Sequence, residues 1–354
     1  MRRSHIAAAA LGVLVAARGP AEEITQQPPL SFSLGPVLLR PSGFFDNIAM
    51  YRTATTPDGI FTRFGSIPLA ESPSQWLDSI AHSRSALEGS LKAGGGRLVG
   101  YYESDFLNGV GGPPFRLRQL WGEYERGNWK ILAGQAWSLL RPNRAGSSTQ
   151  SDLMNTIVVE PAYHVGLAGV RKHQVRVTRV IGNWQAVVAY EHKEQGDLVA
   201  KLARDSGRLH WEVVGLAGEQ RRFAAGLSAV IRASRAVNLV SQQLWSQGAG
   251  PDLIGSLPPG VHAHATIHGV EAKVHKNLQL FSYGGIVYGT RSSGNRTVRQ
   301  WTAGFHQKLF EHAIYGQSFL SFQYSQFDRS LWRGAQGDMN YLMIGFRHFL
   351  PARH

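Results

Sequence analysis

Arg222-Phe223-Ala224-Ala225-Gly226-Leu227-Ser228-Ala229-Val230-Ile231-Arg232 reads with a period of two. Its odd positions, Phe223, Ala225, Leu227, Ala229 and Ile231, are all apolar, whereas Arg222, Ser228 and Arg232 fall among the even ones. Such alternation gives a β-strand one face suited to an apolar medium and one suited to a polar medium. The segment Ile314 to Tyr324 repeats it, with Ile314, Leu320, Phe322 and Tyr324 on one face and Gln317, Ser321 and Gln323 on the other.

Working outward from these two segments, comparable stretches recur at about 33–53, 80–92, 96–106, 114–125, 128–138, 173–181, 184–192, 198–204, 207–216, 220–232, 236–247, 262–272, 276–288, 298–309, 312–325 and 339–350. The reading predicts about 16 strands and little helix. Tight turns are expected at Ala93 to Gly96, Arg126 to Asn128, Gly182-Asn183, Asp205 to Gly207, Ala233 to Arg235 and Phe310-Glu311. Between them lie longer links at 54–79, 107–113, 139–172, 248–261, 289–297 and 326–338. Short turns on one rim and long loops on the other are the habit of transmembrane barrels.

The medium is indicated by the start of the chain. Met1-Arg2-Arg3-Ser4-His5 is cationic, Ile6 to Ala17 is apolar, and small residues follow. This is the pattern of a secretory signal peptide, with cleavage expected after Ala17 or Ala21. No later stretch approaches the roughly 20 apolar residues that a membrane helix needs. In hydrocarbon every backbone amide must pair within the protein, so a membrane-spanning chain without such helices must close its sheet. The expected fold is an all-β, transmembrane, antiparallel up-and-down barrel over residues 33–350, with the 139–172 loop folding inward. Residues 22–32 form a short periplasmic segment and 351–354 a C-terminal tail. In the last strand Leu342, Ile344, Phe346 and Leu350 share an apolar face, although Pro351-Ala352-Arg353-His354 follow it. The chain has no cysteine, which excludes a disulfide framework.

In such a barrel the apolar face meets lipid and the polar face lines the lumen. Parity then turns Arg84 and Glu88 inward, opposite Leu87 and Leu91. It likewise turns Glu103, Asp105, Arg116, Arg118, Arg176, Gln185 and Glu191 inward, with a slip in the pattern near Gln119. Arg116, Arg118 and Arg176 are the expected cationic wall, and Arg141 and Arg144 are candidates on the constricting loop. A basic wall facing acidic groups would set a transverse field across a narrow pore. The formal net charge of +13 favours anionic solutes, lipid phosphates or both, with Arg2, Arg3 and Arg18 set apart near the signal. Trp129, Trp184, Trp211, Trp245, Tyr288 and Trp301 sit near strand ends, where interfacial girdles form.

His262, His264 and His268 lack a completing cysteine or carboxylate, since Glu271 falls towards the other end of the strand, so no metal site is expected. Nor does a nucleophile elbow, phosphate loop or dinucleotide fingerprint occur, and no cofactor, catalytic residue or nucleic-acid partner is expected.

Several runs resemble the DcaP-like porin family of Gram-negative bacteria. They are Ser83 to Gly89, Val99-Gly100-Tyr101-Tyr102-Glu103-Ser104-Asp105-Phe106, Leu117-Arg118-Gln119-Leu120-Trp121-Gly122-Glu123-Tyr124 and Leu132-Ala133-Gly134-Gln135-Ala136-Trp137-Ser138. The resemblance covers about residues 33 to 190. It implies a trimeric outer-membrane porin, set in lipid and lipopolysaccharide, that admits small and often anionic solutes by passive diffusion. Three other readings remain open: a plugged structural or adhesive barrel, a barrel enzyme acting on lipid, and a soluble secreted β-protein that binds glycans.

Overall fold

The computed structural model describes residues 30–57, 59–107, 115–149, 156–255, 257–258, 260–291 and 294–351. The signal peptide, most of the 22–32 segment and residues 352–354 lie outside the described residues.

The wall begins with a small hairpin of β1 (Phe32–Leu34) and β2 (Val37–Arg52). β3 (Gln75–Ser79) pairs with the upper part of β2 and β4 (Arg84–Ala93) with its lower part, so the two share one position in the wall. From there each strand pairs antiparallel with the next. They are β5 (Gly96–Asp105), β6 (Arg116–Arg126), β7 (Trp129–Trp137), β8 (Arg171–Ile181), β9 (Trp184–His192), β10 (Gly196–Asp205), β11 (Leu209–Gly218), β12 (Arg222–Arg232), β13 (Val237–Gln247), β14 (His262–His275), β15 (Leu278–Gly289), β16 (Asn295–His312), β17 (Gly316–Leu331) and β18 (Gln336–Phe349). β18 returns to β2, from Tyr341 opposite Arg52 to Phe349 opposite Phe44, and closes a 16-stranded barrel. Closure removes every unpaired edge.

The decisive segment behaves as its period requires. On β12 Phe223, Leu227 and Ile231 are exposed on the outer wall, while Ala224, Ser228 and Val230 are buried within. Trp129, Trp245, Tyr288 and Trp301 are exposed on the outside, and Trp184 and Trp211 meet edge to face at 5.5 Å. The slip near Gln119 is a β-bulge: Glu103 pairs with Gln119 but Ser104 with Leu117, so Arg118 is the extra residue.

Four local expectations are corrected. The 54–79 link contains β3, whose five residues are too few to reveal an alternation. Phe310-Glu311 is no turn, because β16 continues to His312. The reversal is at 313–315, and Gly316 at φ +86° supplies the left-handed conformation after it. Ile314 therefore lies in a turn, not on a strand face. The 326–338 link is mostly strand, with Asp328 opposite Asp338 and Arg329 opposite Gly337, and only 332–335 bridge the gap. The outward side chains there, Gln326 and Asp328, are polar while Phe327 is turned inward, so no apolar outer face marks those residues as strand.

Candidate functional site

The described parts of the third long loop, 138–149 and 156–170, lie inside the barrel, and the inward side chains are largely organised around them. Leu139, Leu140, Val159, Ala162, Val165, Leu167 and Ala168 pack with inward Val187, Val199, Val214, Leu216, Val240, Ile267 and Val287 into one apolar cluster. A lumen-facing valine is tolerable because the loop, not water, covers it.

Polar wall residues then pin the loop's backbone. Glu191 accepts a bond from the Leu139 amide at 2.7 Å, and Glu212 one from Asn143 at 3.2 Å. Lys201 donates to the Arg141 carbonyl at 2.8 Å. Gln185 accepts from the Ser147 amide and hydroxyl, while Arg176 donates to the carbonyls of Ser147 at 2.7 Å and Trp137 at 2.8 Å. On the far side Gln323 accepts from Val159 at 2.6 Å and Gln300 from Val165 at 2.8 Å. The loop passes so close to β15 that a Cβ on Gly285 would lie 2.0 Å from the Val165 carbonyl oxygen. It also joins the 248–261 loop, through Ile254 to Leu167 at 2.8 Å and Gly166 to Ile254 at 2.9 Å.

The predicted inward residues other than Glu88 fall into two groups. Arg176, Gln185 and Glu191 face the lumen as anchors of the loop, and Arg176 and Glu191 are buried. Arg84, Glu103, Asp105, Arg116 and Arg118 are brought together on β4, β5 and β6. Asp105 takes a two-pronged bond from Arg116 at 2.8 and 2.7 Å and one from Arg118 at 2.6 Å, and Glu103 accepts from Arg118 at 2.5 Å. Arg118 is 2% exposed, whereas the Arg116 side chain keeps 27% of its surface. Glu88 lies lower, between Arg40 at 3.1 Å and Arg97 at 3.0 Å, next to the pairs Arg97–Glu125 at 3.5 Å and Lys130–Glu125 at 2.5 Å. These lower groups are only partly buried. Of the loop candidates, Arg144 pairs with Glu271 of β14, and Arg141 lies over the Trp137 ring at 4.5 Å.

Sequence reading missed the residue that joins loop and wall. Tyr163 projects its hydroxyl into the arginine group, where it accepts from Arg118 at 3.0 Å and Arg84 at 3.3 Å. Arg118, Arg141 and Arg171 all lie over Trp137, which meets Tyr163 edge to face at 5.8 Å. Burial pushes the Tyr163 phenol up, but Arg118, Arg84, Arg171 and Arg141 outweigh it and bring it down to about 7. Three residues earlier, burial pushes the Glu160 carboxyl up, against the pull of Arg52. The neighbouring His164 is held down at about 4 by burial. A lone tyrosine in a 33-residue link carries no sequence signal; only the fold brings it to β4 and β6.

No group of three or more potential ligands that could hold a metal occurs among the described residues. His264 and His268 point outward and bond with Gln243 at 2.9 Å and Ser241 at 3.1 Å.

A closed antiparallel barrel with an apolar outer belt and a long loop laid inside it defines the class: an outer-membrane β-barrel of the porin fold. The outer membrane channel DcaP of Acinetobacter baumannii has the same fold, at a TM-score of 0.76 and 17% identity over 91% of this chain and 100% of that one. An anion-selective porin from Comamonas acidovorans follows at TM-score 0.61 and 12% identity, covering 88% and 99% of the two chains. OmpT of Vibrio cholerae gives 0.62 and 9%, covering 90% and 100%. No protein-family model matches the chain, and no curated protein does.

Proposed function

We propose that the protein is a Gram-negative outer-membrane porin through which small hydrophilic solutes diffuse passively, with a preference for anions. The supporting observation is the group formed by Arg84, Arg116, Arg118 and Arg171, which among the described residues faces the paired carboxylates of Glu103 and Asp105. A surplus of fixed positive charge at a narrowing raises the local concentration of anions and repels cations. The partly exposed arginines Arg84 and Arg116 meet the solute, and buried Arg118 adds its field from behind. The anion-selective Comamonas porin of the same fold is consistent with this reading. The proposal includes a homotrimer embedded in lipid and lipopolysaccharide, and no catalysis.

A plugged structural barrel is the second reading, favoured by the many inward side chains of β10 to β17 that lie buried under the loop. Planar-bilayer recordings under a salt gradient separate the two. Discrete current steps with an anion-favouring reversal potential support the porin. A folded protein that gives no current supports the plug.

A further inference from the structure

Among the groups that the loop brings to the wall, Tyr163 occupies a place out of keeping with its chemistry. Both polar contacts at its hydroxyl are guanidinium donors, Arg118 at 3.0 Å and Arg84 at 3.3 Å. The phenolic proton meets no acceptor among the described residues, so the site suits an oxygen anion better than a phenol. The backbone of Tyr163 is also held at φ +67°, a conformation rare for an aromatic residue, in a turn closed by its amide on the Glu160 carbonyl at 2.9 Å. Strain of this kind persists where surrounding contacts fix it.

We propose that Tyr163 determines the anion affinity of the pore: its hydroxyl is a built-in substitute for a solute oxyanion at the Arg84–Arg118 pair, and its ionisation sets how strongly it competes. This rests on the porin reading above. As a phenol it is a weak occupant that an anionic solute can displace. As a phenolate, its proton lost to bulk water, it neutralises one positive charge and holds the arginines itself.

Among the described residues the charged groups around Tyr163 come from several elements. Arg84 comes from β4, Arg116 and Arg118 from β6, Arg171 from β8 and Arg141 from the loop. Glu103 and Asp105 on β5 are engaged by Arg116 and Arg118. His82, beside Arg84 at 3.1 Å, is bonded to Asp46 at 2.6 Å. Glu160 is turned towards Thr62 and the Ala162 amide, and His164 bonds to the Val165 carbonyl. The positive side dominates, and the change of charge falls within the neutral range, around 7. About a tenth of the phenol is ionised one unit below that value and about nine-tenths one unit above it.

The test compares wild type with Tyr163→Phe, which keeps the ring against Trp137. In planar bilayers the wild-type anion-to-cation permeability ratio should fall by roughly two-fold between about pH 6 and about pH 8, and sulfate should block chloride current more strongly at the lower pH. The variant should keep a high ratio and strong sulfate block throughout. A pH-invariant wild type, or an unchanged pH dependence in the variant, overturns the inference. A second measurement needs no current: the near-ultraviolet phenolate absorbance of detergent-folded protein, as wild type minus Tyr163→Phe. It should titrate near neutrality, with a midpoint that sulfate moves upward. A midpoint unmoved by sulfate sinks the competition, whether or not the barrel conducts, while absence of current with a sulfate-sensitive midpoint sinks only the porin reading.

Discussion

Arg144 and Glu271, separated by 127 residues of sequence, form a two-pronged ion pair across the lumen, with Nη1 donating to Oε2 at 3.0 Å. Asn238 at 3.2 Å and Tyr283 at 2.6 Å complete the environment of the carboxylate, which is almost wholly buried. Removing one partner of a buried pair leaves the other charge without compensation. Arg144→Ala should therefore cost about 3 kcal/mol or more, and because the loop loses a tether, current noise should rise. Thermal melts in detergent and single-channel traces read the two effects. Unchanged noise would mean that the other anchors hold the loop unaided.

The close approach at Gly285 gives a steric test of the same loop. A methyl group there meets the Val165 carbonyl, and a branched side chain needs still more room. Gly285→Val should push the loop off β15 and raise single-channel conductance, with Gly285→Ala intermediate. Equal conductance in all three proteins would show that this part of the loop does not border the solute path.

Acid should weaken the loop's seat. His164 is buried beside Tyr283, and its folded value of about 4 lies below the ordinary 6.5. The unfolded chain therefore takes up the proton first as pH falls. This contribution to stability is fully present above about 6.5 and is lost as pH drops towards 4, on the order of 3 kcal/mol in total. Melts of wild type and His164→Gln between those limits should converge as the pH falls. Parallel curves would assign the acid sensitivity elsewhere.

Much of this arrangement was legible in the sequence, and the illegible part has a physical cause. A lipid-facing strand announces itself, since Phe223, Leu227 and Ile231 must all be apolar, and parity then placed Arg84, Glu103, Asp105, Arg116 and Arg118 inward together. Even the bulge at Arg118 left a trace as a slip in the pattern. What lay beyond reading was the fate of an inward residue. Arg176 and Arg118 have the same parity and charge, yet one bonds the carbonyls of Ser147 and Trp137 and the other bonds two carboxylates and Tyr163. That difference depends on where the loop lies, and a loop's path is not periodic. β3 escaped for a related reason: Trp76, 73% exposed, stands in a strand of only five residues.

The same distinction yields a prediction for the three arginines expected to form the cationic wall. Arg116 shares Asp105 with Arg118 and keeps a quarter of its side-chain surface, so Arg116→Ala leaves Asp105 paired and removes a charge near solvent. Anion preference should fall with little loss of stability, because partly exposed pairs contribute about 1 kcal/mol or less. Arg118→Ala takes a guanidinium at 2.5 Å from Glu103, which keeps the Tyr101 hydroxyl at 3.2 Å, and weakens the hold on Asp105, both carboxylates being buried. It should lower anion preference and destabilise the barrel by about 3 kcal/mol or more. Arg176→Ala removes donors from the Ser147 carbonyl of the loop and from the Trp137 carbonyl at the end of β7 that leads into it, without touching the group around Asp105, so it should loosen the loop and raise conductance while leaving the reversal potential nearly unchanged. Reversal potential, conductance and melting temperature, measured on all three variants, give a different signature for each. If Arg176→Ala shifted the reversal potential as far as Arg116→Ala, the anchor and the wall would not be separable, and the division of the lumen into a loop seat and a charged path would fail.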